Sequence, residues 1–332
     1  MKKNFKTGLI VLIVTIVVVL FVSIGSSFQR IKFSTPEISV QTYSPNPSVK
    51  KSSSSKKQYI AALYIEGTIE EENNSYNQKW LLETISNLKH DSKNQGLAVY
   101  INSPGGSVYQ ADEIYLALQD YKTSGKKIFV YQGPMAASGG YYISCAGNKI
   151  YANRNTLTGC IGVICGQSFD LTGLFENLGI KSETIHSGKN KNMMNYNEPF
   201  TDEQRKIMQS ISDECYEQFV SIVVSQRHIS FNDAYKVSDG RLFTANQALN
   251  NNLIDKIDSW EGMITDFSTE IEKPGINVKT FKYQKKQSMV EMLLNKVEEI
   301  KRTENAAQLG LPAKVLNDIN NFNSYPAYIY RP

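Results

Sequence analysis

Leu97-Ala98-Val99-Tyr100-Ile101-Asn102-Ser103-Pro104-Gly105-Gly106-Ser107 reads as a buried strand running straight into a paired-glycine turn, and the periodic segment Gln110 to Tyr121 behind it reads as a helix. The same unit recurs downstream. Ile128-Phe129-Val130-Tyr131 is a second apolar strand, followed by Gly133-Pro134-Met135-Ala136-Ala137-Ser138-Gly139-Gly140-Tyr141-Tyr142 and a helix expected from Ala137. Upstream, Tyr59-Ile60-Ala61-Ala62-Leu63-Tyr64-Ile65 ends at Glu66-Gly67 and precedes a helical pattern from Asn77 to Leu88. These strands are continuously apolar instead of alternating, so both of their faces are covered. Strand–helix units of this kind predict an α/β fold built on a mainly parallel sheet.

A long helix is expected from Asp202 to Arg227, opened by the capping box Thr201 and Gln204, with shorter ones at Phe231 to Lys236 and Ala245 to Asn251. An amphipathic helix from Met289 to Arg302 and a tail rich in tyrosine, ending Tyr325-Pro326-Ala327-Tyr328-Ile329-Tyr330-Arg331-Pro332, close the chain. Three tyrosines and an isoleucine in eight residues are unusual for a solvated end, and the tail is expected to dock as an extended strand near the site described below. At the other end, the uncharged run Thr7 to Phe28 spans roughly 30 Å as a helix, the thickness of a bilayer core. It is too long for an ordinary signal-peptide core, and Ser23-Ile24-Gly25-Ser26-Ser27 is a poor cleavage site. Lys2, Lys3 and Lys6 make the leading flank positive, which predicts a single-pass anchor in the cell membrane with the body outside the cytoplasm. The expected order is therefore a cytoplasmic end (1–6), an anchor (7–28), a Ser-rich flexible linker (29–57), a catalytic domain (58–285), and a C-terminal helix with its tail (286–332).

The 332 residues carry a net charge of only +4, with 20% charged and 41% apolar side chains, which gives no basis for nucleic-acid binding. Cys145, Cys160, Cys165 and Cys215 lack the spacing of a metal site and are read as free core thiols, and no metal or cofactor is expected.

Two loops carry the chemistry. The Gly105-Gly106 turn after a strand can point backbone N–H groups at a developing oxyanion, or it can be an ordinary turn. Ser138 can be a helix N-cap or a nucleophile. Its small neighbours leave room for a carbonyl, bring the Gly139 N–H beside the Gly106 N–H, and predict an apolar, sterically limited pocket. A serine nucleophile needs a base. His90 and His228 read as surface residues; His186 lies in a loop downstream of Ser138. Next to it, Ser187-Gly188-Lys189-Asn190-Lys191-Asn192-Met193-Met194 offers Lys191, a lysine followed by apolar side chains, with Lys189 as its neighbouring rival. Lysine acts as a base only when neutral, a state that burial favours.

Asn102 to Gly106, Ala136 to Tyr142, Thr158-Gly159-Cys160-Ile161-Gly162-Val163-Ile164, the Ser187-Gly188 to Lys191 loop and Asp239-Gly240-Arg241-Leu242-Phe243-Thr244-Ala245-Asn246-Gln247-Ala248 together resemble the SppA-type signal peptide peptidase family, over residues 58 to about 265. The resemblance implies a ClpP/crotonase-like fold and a Ser/Lys dyad of Ser138 and Lys191, with Gly106 and Gly139 as oxyanion donors. It further implies hydrolysis of remnant signal peptides or other membrane-associated peptides, and a homo-oligomeric ring in which the dyad is shared between subunits. Cys160 departs from the pattern, standing where the family usually has a serine able to bond the lysine. Asn250-Asn251-Asn252 also departs, replacing a usual glycine. A non-catalytic scaffold binding membrane proteins, or an acyl-CoA enzyme of the same fold, is the alternative.

Overall fold

The computed structural model describes residues 41–43, 57–285 and 327–329. The anchor, most of the linker and the Met289 to Arg302 helix expected from the sequence lie outside these residues. Among the described residues, no helix is long and apolar enough to cross a membrane.

The core is a twisted α/β sheet. Strands β2 (Tyr59–Glu66), β3 (Asn94–Ser103), β5 (Lys127–Ala137) and β6 (Lys149–Ala152) run parallel. The sheet order is β1-β10-β2-β3-β5-β6-β9, where β1 (Gln41–Tyr43) is an antiparallel edge on β10 (Asn277–Phe281), β10 runs parallel to β2, and β9 (Lys256–Ile257) is the parallel edge at the other side. Outside this row, β7 (Leu157–Gly159) pairs with the end of β5 and carries antiparallel β8 (Leu242–Thr244).

Side chains alternate across each strand, which explains the unbroken apolar runs. Ala61, Leu63, Leu97, Val99, Ile128 and Val130 face a large core shared with helices α1 (Gln78–His90), α2 (Val108–Lys122) and α3 (Gly139–Ser144). Ile60, Ala62, Ala98, Phe129 and Tyr131 face a smaller core. Beyond a short α4 (Thr172–Asn177), the long α5 (Asp202–Arg227) has the expected bounds and capping box. It is followed by α6 (Phe231–Val237) and α7 (Ala245–Asn250), and α8 (Trp260–Glu270) covers the second core through Met263, Ile264 and Phe267. In the Asn250-Asn251-Asn252 run, Asn252 takes the left-handed φ of 58° that a glycine would otherwise supply.

The last residue of α5 locks this helix to the sheet. The Arg227 side chain is 7% exposed and donates to Asp255 at 2.7 and 3.1 Å and to the Asn252 carbonyl at 2.8 Å, while Asp255 also accepts from the Ile150 N–H at 2.6 Å. Replacing Arg227 by alanine strands a partly buried carboxylate. The variant is expected to lose about 3 kcal/mol in a denaturant-unfolding measurement, with the loosened α5 also disturbing the cleft that it walls.

Candidate active site

Both chemistry-bearing loops leave the carboxyl ends of adjacent parallel strands, the place where α/β sheets bind ligands. Ser103 at the end of β3 pairs with Ala136 near the end of β5, two residues before Ser138. Gly140 closes the gap between the loops: a Cβ there would lie 3.0 Å from the Ser103 carbonyl oxygen, so the first turn of α3 packs directly on the β3 corner.

The glycine loop is strand, not merely turn. Gly105–Ser107 forms β4, held by Ile69, whose N–H donates to the Gly105 carbonyl at 2.9 Å and whose carbonyl accepts from the Ser107 N–H at 2.8 Å. Ser103 Oγ accepts from the Gly105 N–H at 3.0 Å. A Cβ on Gly106 would stand 1.9 Å from the Ile69 oxygen, so only glycine fits. Because backbone groups alternate sides along a strand, the Gly106 N–H and C=O point away from Ile69. On that side lies β11 (Ala327–Ile329), antiparallel to β4 with Tyr328 opposite Gly106. The tail is thus an extended strand beside the glycine loop, as its composition predicts.

Ser138 occupies the N-cap position of α3, but its side chain makes no capping bond. Its backbone is unusual, with φ 54° and ψ −116°, and the residue is 1% exposed. Two contacts impose this conformation: the Ser138 N–H donates to the Gly159 carbonyl at 2.7 Å, and its carbonyl accepts the Tyr142 N–H at 2.9 Å. Gly139, the first residue of α3, has no preceding turn to accept its N–H. The Thr158-Gly159-Cys160 segment is a clamp for the serine loop, since Thr158 Oγ1 also donates to the Ala136 carbonyl at 2.8 Å. The late Asp239-Gly240-Arg241 block clamps it in turn, with Cys160 N–H on the Arg241 carbonyl at 2.8 Å and Gly240 N–H on the Ile161 carbonyl at 3.0 Å.

A cleft of 380 Å³ opens at Ser138 between Cys160, Gly162, Val163 and Ile164 on one wall and the α5 residues Gln209, Ser212, Asp213 and Tyr216 on the other, with Ser238, Asp239 and Gly240 completing it. Small residues surround the Ser138 backbone, as the sequence suggests, but the cleft walls come from distant segments and mix apolar side chains such as Val163 and Ile164 with polar ones. None of the four cysteines is in a disulfide; Cys145 and Cys165 are buried, whereas Cys160 and Cys215 are only partly so. Burial pushes the Cys160 thiol up.

Lys191 is exposed in a turn, its N–H on the Gly188 carbonyl at 3.0 Å, and is not among the residues lining the cleft at Ser138. Lys189 is held by an ion pair to Glu203, a residue that also accepts from Asn190 at 3.2 Å. Of the histidines, His90 bonds the Ser86 carbonyl within α1, His186 is exposed against the Gly188 carbonyl, and His228 terminates α5; none lines the cleft. Within one chain, therefore, the helix that Ser138 and Gly139 open packs on the Ser103 corner next to β4, and Lys191 is not among the residues that line the Ser138 cleft. Sequence reading missed Ser238 and the α5 residues as cleft walls, because only long-range packing brings them beside Ser138.

Comparison with known proteins agrees with these features. Residues 120–272 match the model of Peptidase family S49. A protein described as a signal peptide peptidase SppA from Enterococcus faecium is 31% identical over 252 residues, 74% of this chain and 71% of that one. A protein described as a protease from Synechocystis is 34% identical over 64% of this chain and 73% of its own length. A solved ClpP1 variant from Listeria monocytogenes is similar at 17% identity and a TM-score of 0.42, covering 61% of this chain and 94% of that one. With two relatives above 30% identity matched over more than two thirds of their length, the chain belongs to peptidase family S49, the SppA-type signal peptide peptidases, and is a serine peptidase.

Proposed function

We propose that this peptidase is a membrane-anchored endopeptidase in which Ser138 is the nucleophile, Lys191 the general base, and the Gly106 and Gly139 N–H groups the oxyanion donors. The observation that carries the reading is the uncapped Ser138 hydroxyl, held in a backbone conformation that a simple N-cap does not need, at a cleft beside the glycine loop. Neutral Lys191 takes the Ser138 proton as Oγ attacks the peptide carbonyl, and the oxyanion settles on the two N–H groups. The resulting ammonium returns its proton to the leaving amine. Lys191 then deprotonates a water that releases the acyl group and restores the serine. An acylating serine probe is expected to label the wild-type protein at Ser138 on peptide mapping; a protein that hydrolyses peptides but is labelled elsewhere rules the assignment out.

Lys191 reaches a serine, on this reading, in a neighbouring copy of a homo-oligomeric ring. The segment that bears it supports this. No residue from 171 to 190 is buried, and Leu174, Leu178, Ile180 and Ile185 are exposed, Ile185 by 95%. Such an apolar arm has no core of its own and gains one only against a second surface. The ClpP/crotonase-like fold, the cell-membrane location with an extracytoplasmic body, and the domain limits 7–28, 29–57, 58–285 and 286–332 belong to the same proposal. Remnant signal peptides and other membrane-associated peptides are its substrates. The scaffold alternative leaves the strained, uncapped serine unexplained.

Substrate is proposed to bind by strand addition to β4, the edge that Ala327–Ile329 takes in this structure. A chain ending at residue 322 is therefore expected to cleave an unstructured protein several-fold faster than the full chain, chiefly through a lower KM, as read from initial rates. Equal rates for the two chains exclude β4 as the substrate edge.

A further inference from the structure

One cleft residue has a polar group with no role in the fold. Ser238 lies just after α6, is 2% exposed, and lines the cleft with Ser138 and Cys160. Its backbone is fully engaged, the carbonyl accepting from Tyr216 Oη at 2.7 Å and the N–H donating to the Tyr235 carbonyl at 3.3 Å. Its hydroxyl is buried and has no hydrogen-bond partner among the described residues. A buried hydroxyl left unmatched is destabilising, so a site that keeps one calls for a partner from outside the single chain.

The other polar side chains of the cleft are largely committed. Tyr216 is spent on Ser238 itself, Asp239 on Arg241 at 2.8 Å, and Gln209 on Asp213 at 2.7 Å. Cys160 offers only a thiol, a weak donor and a weak acceptor. An amine that enters this cleft to take the Ser138 proton has three substituent positions to orient, and a flexible lysine stem does not orient them unaided. A serine hydroxyl swings between staggered wells about one bond, so Ser238 Oγ can turn from its buried position to meet an arriving N–H.

We infer that Ser238 is the positioning residue for the base: its hydroxyl accepts a hydrogen bond from the Lys191 amine in the assembled enzyme and aims the nitrogen at Ser138 Oγ. This rests on the assignment of Lys191 as the base. It also explains why the thiol of Cys160 is tolerated in the same cleft, since the orienting hydroxyl comes from Ser238.

The test uses the assembled full-length enzyme, with kcat and KM measured separately for Ser238→Ala, Cys160→Ser, the double variant and Lys191→Ala. Ser238→Ala is expected to lower kcat about tenfold with KM nearly unchanged, the size of one lost orienting hydrogen bond. Cys160→Ser in the Ser238→Ala background is expected to restore most of that loss by supplying a hydroxyl from another residue of the same cleft. If Ser238→Ala folds, assembles and keeps its kcat, the hydroxyl is only a structural defect and the inference fails. A loss that Cys160→Ser does not recover overturns it as well. Lys191→Ala separates the two levels: if it is active, the base assignment itself falls, whereas an inactive Lys191→Ala beside a fully active Ser238→Ala removes the positioning role alone.

Discussion

Ser138→Ala is expected to reduce peptide hydrolysis by at least ~10³-fold, with the fold intact and the unfolding midpoint close to that of the parent. The hydroxyl makes no capping bond to its own helix, so its removal costs α3 nothing on that account. Glycine at the same position separates the two properties of the residue. With φ 54° and ψ −116°, Ser138 sits where a side chain is strained, and the strain is maintained by the Gly159 and Tyr142 hydrogen bonds on either side of it. Ser138→Gly is therefore expected to be as inactive as Ser138→Ala yet more stable, by about 1 kcal/mol after allowing for the greater freedom of glycine in the unfolded chain. Chemical denaturation of the three proteins measures this directly. A glycine variant less stable than the alanine variant means that the backbone at 138 is not strained and that the main support for its catalytic role is gone.

The strain shows why a site of this kind is half-legible in a sequence. Local patterns announced the strands β2, β3 and β5, the Thr201/Gln204 capping box and the bounds of α5, because each depends on side-chain periodicity within one segment. The serine loop was legible for a related reason, since Ala137, Gly139 and Gly140 are small where two strands' ends and a helix start must converge. The cleft was not. Its walls are α5, the Cys160 to Ile164 segment and the Ser238 to Gly240 turn, brought together by backbone hydrogen bonds between residues some 80 positions apart, such as Cys160 N–H to Arg241 C=O. No local pattern carries such a pairing, which is why the sequence gives no hint that α5 and the Ser238 to Gly240 turn wall the cleft. The Ile69 bridge to Gly106 was invisible for the same reason, although it alone accounts for the glycine there.

Lys191→Ala is expected to be as inactive as Ser138→Ala, while Lys189→Ala keeps activity, because Lys189 is already committed to Glu203 and its loss frees only a surface carboxylate. The decisive form of the prediction mixes the two inactive proteins. Lys191 does not line the Ser138 cleft of its own chain, and the arm that carries it exposes Leu174, Leu178 and Ile185 as though a second surface were to cover them. If the dyad spans two copies, a ring co-assembled from equal amounts of Ser138→Ala and Lys191→Ala chains contains interfaces at which an intact serine meets an intact lysine. Random assembly makes roughly a quarter of the interfaces productive, so roughly a quarter of the wild-type rate should reappear on mixing after dissociation. A dyad closed within one chain recovers nothing, since every chain then lacks one of its two groups. Recovery would also identify the exposed arm as the element that carries catalysis from one subunit to the next, which would account for a segment that buries none of its residues from 171 to 190 in its own fold.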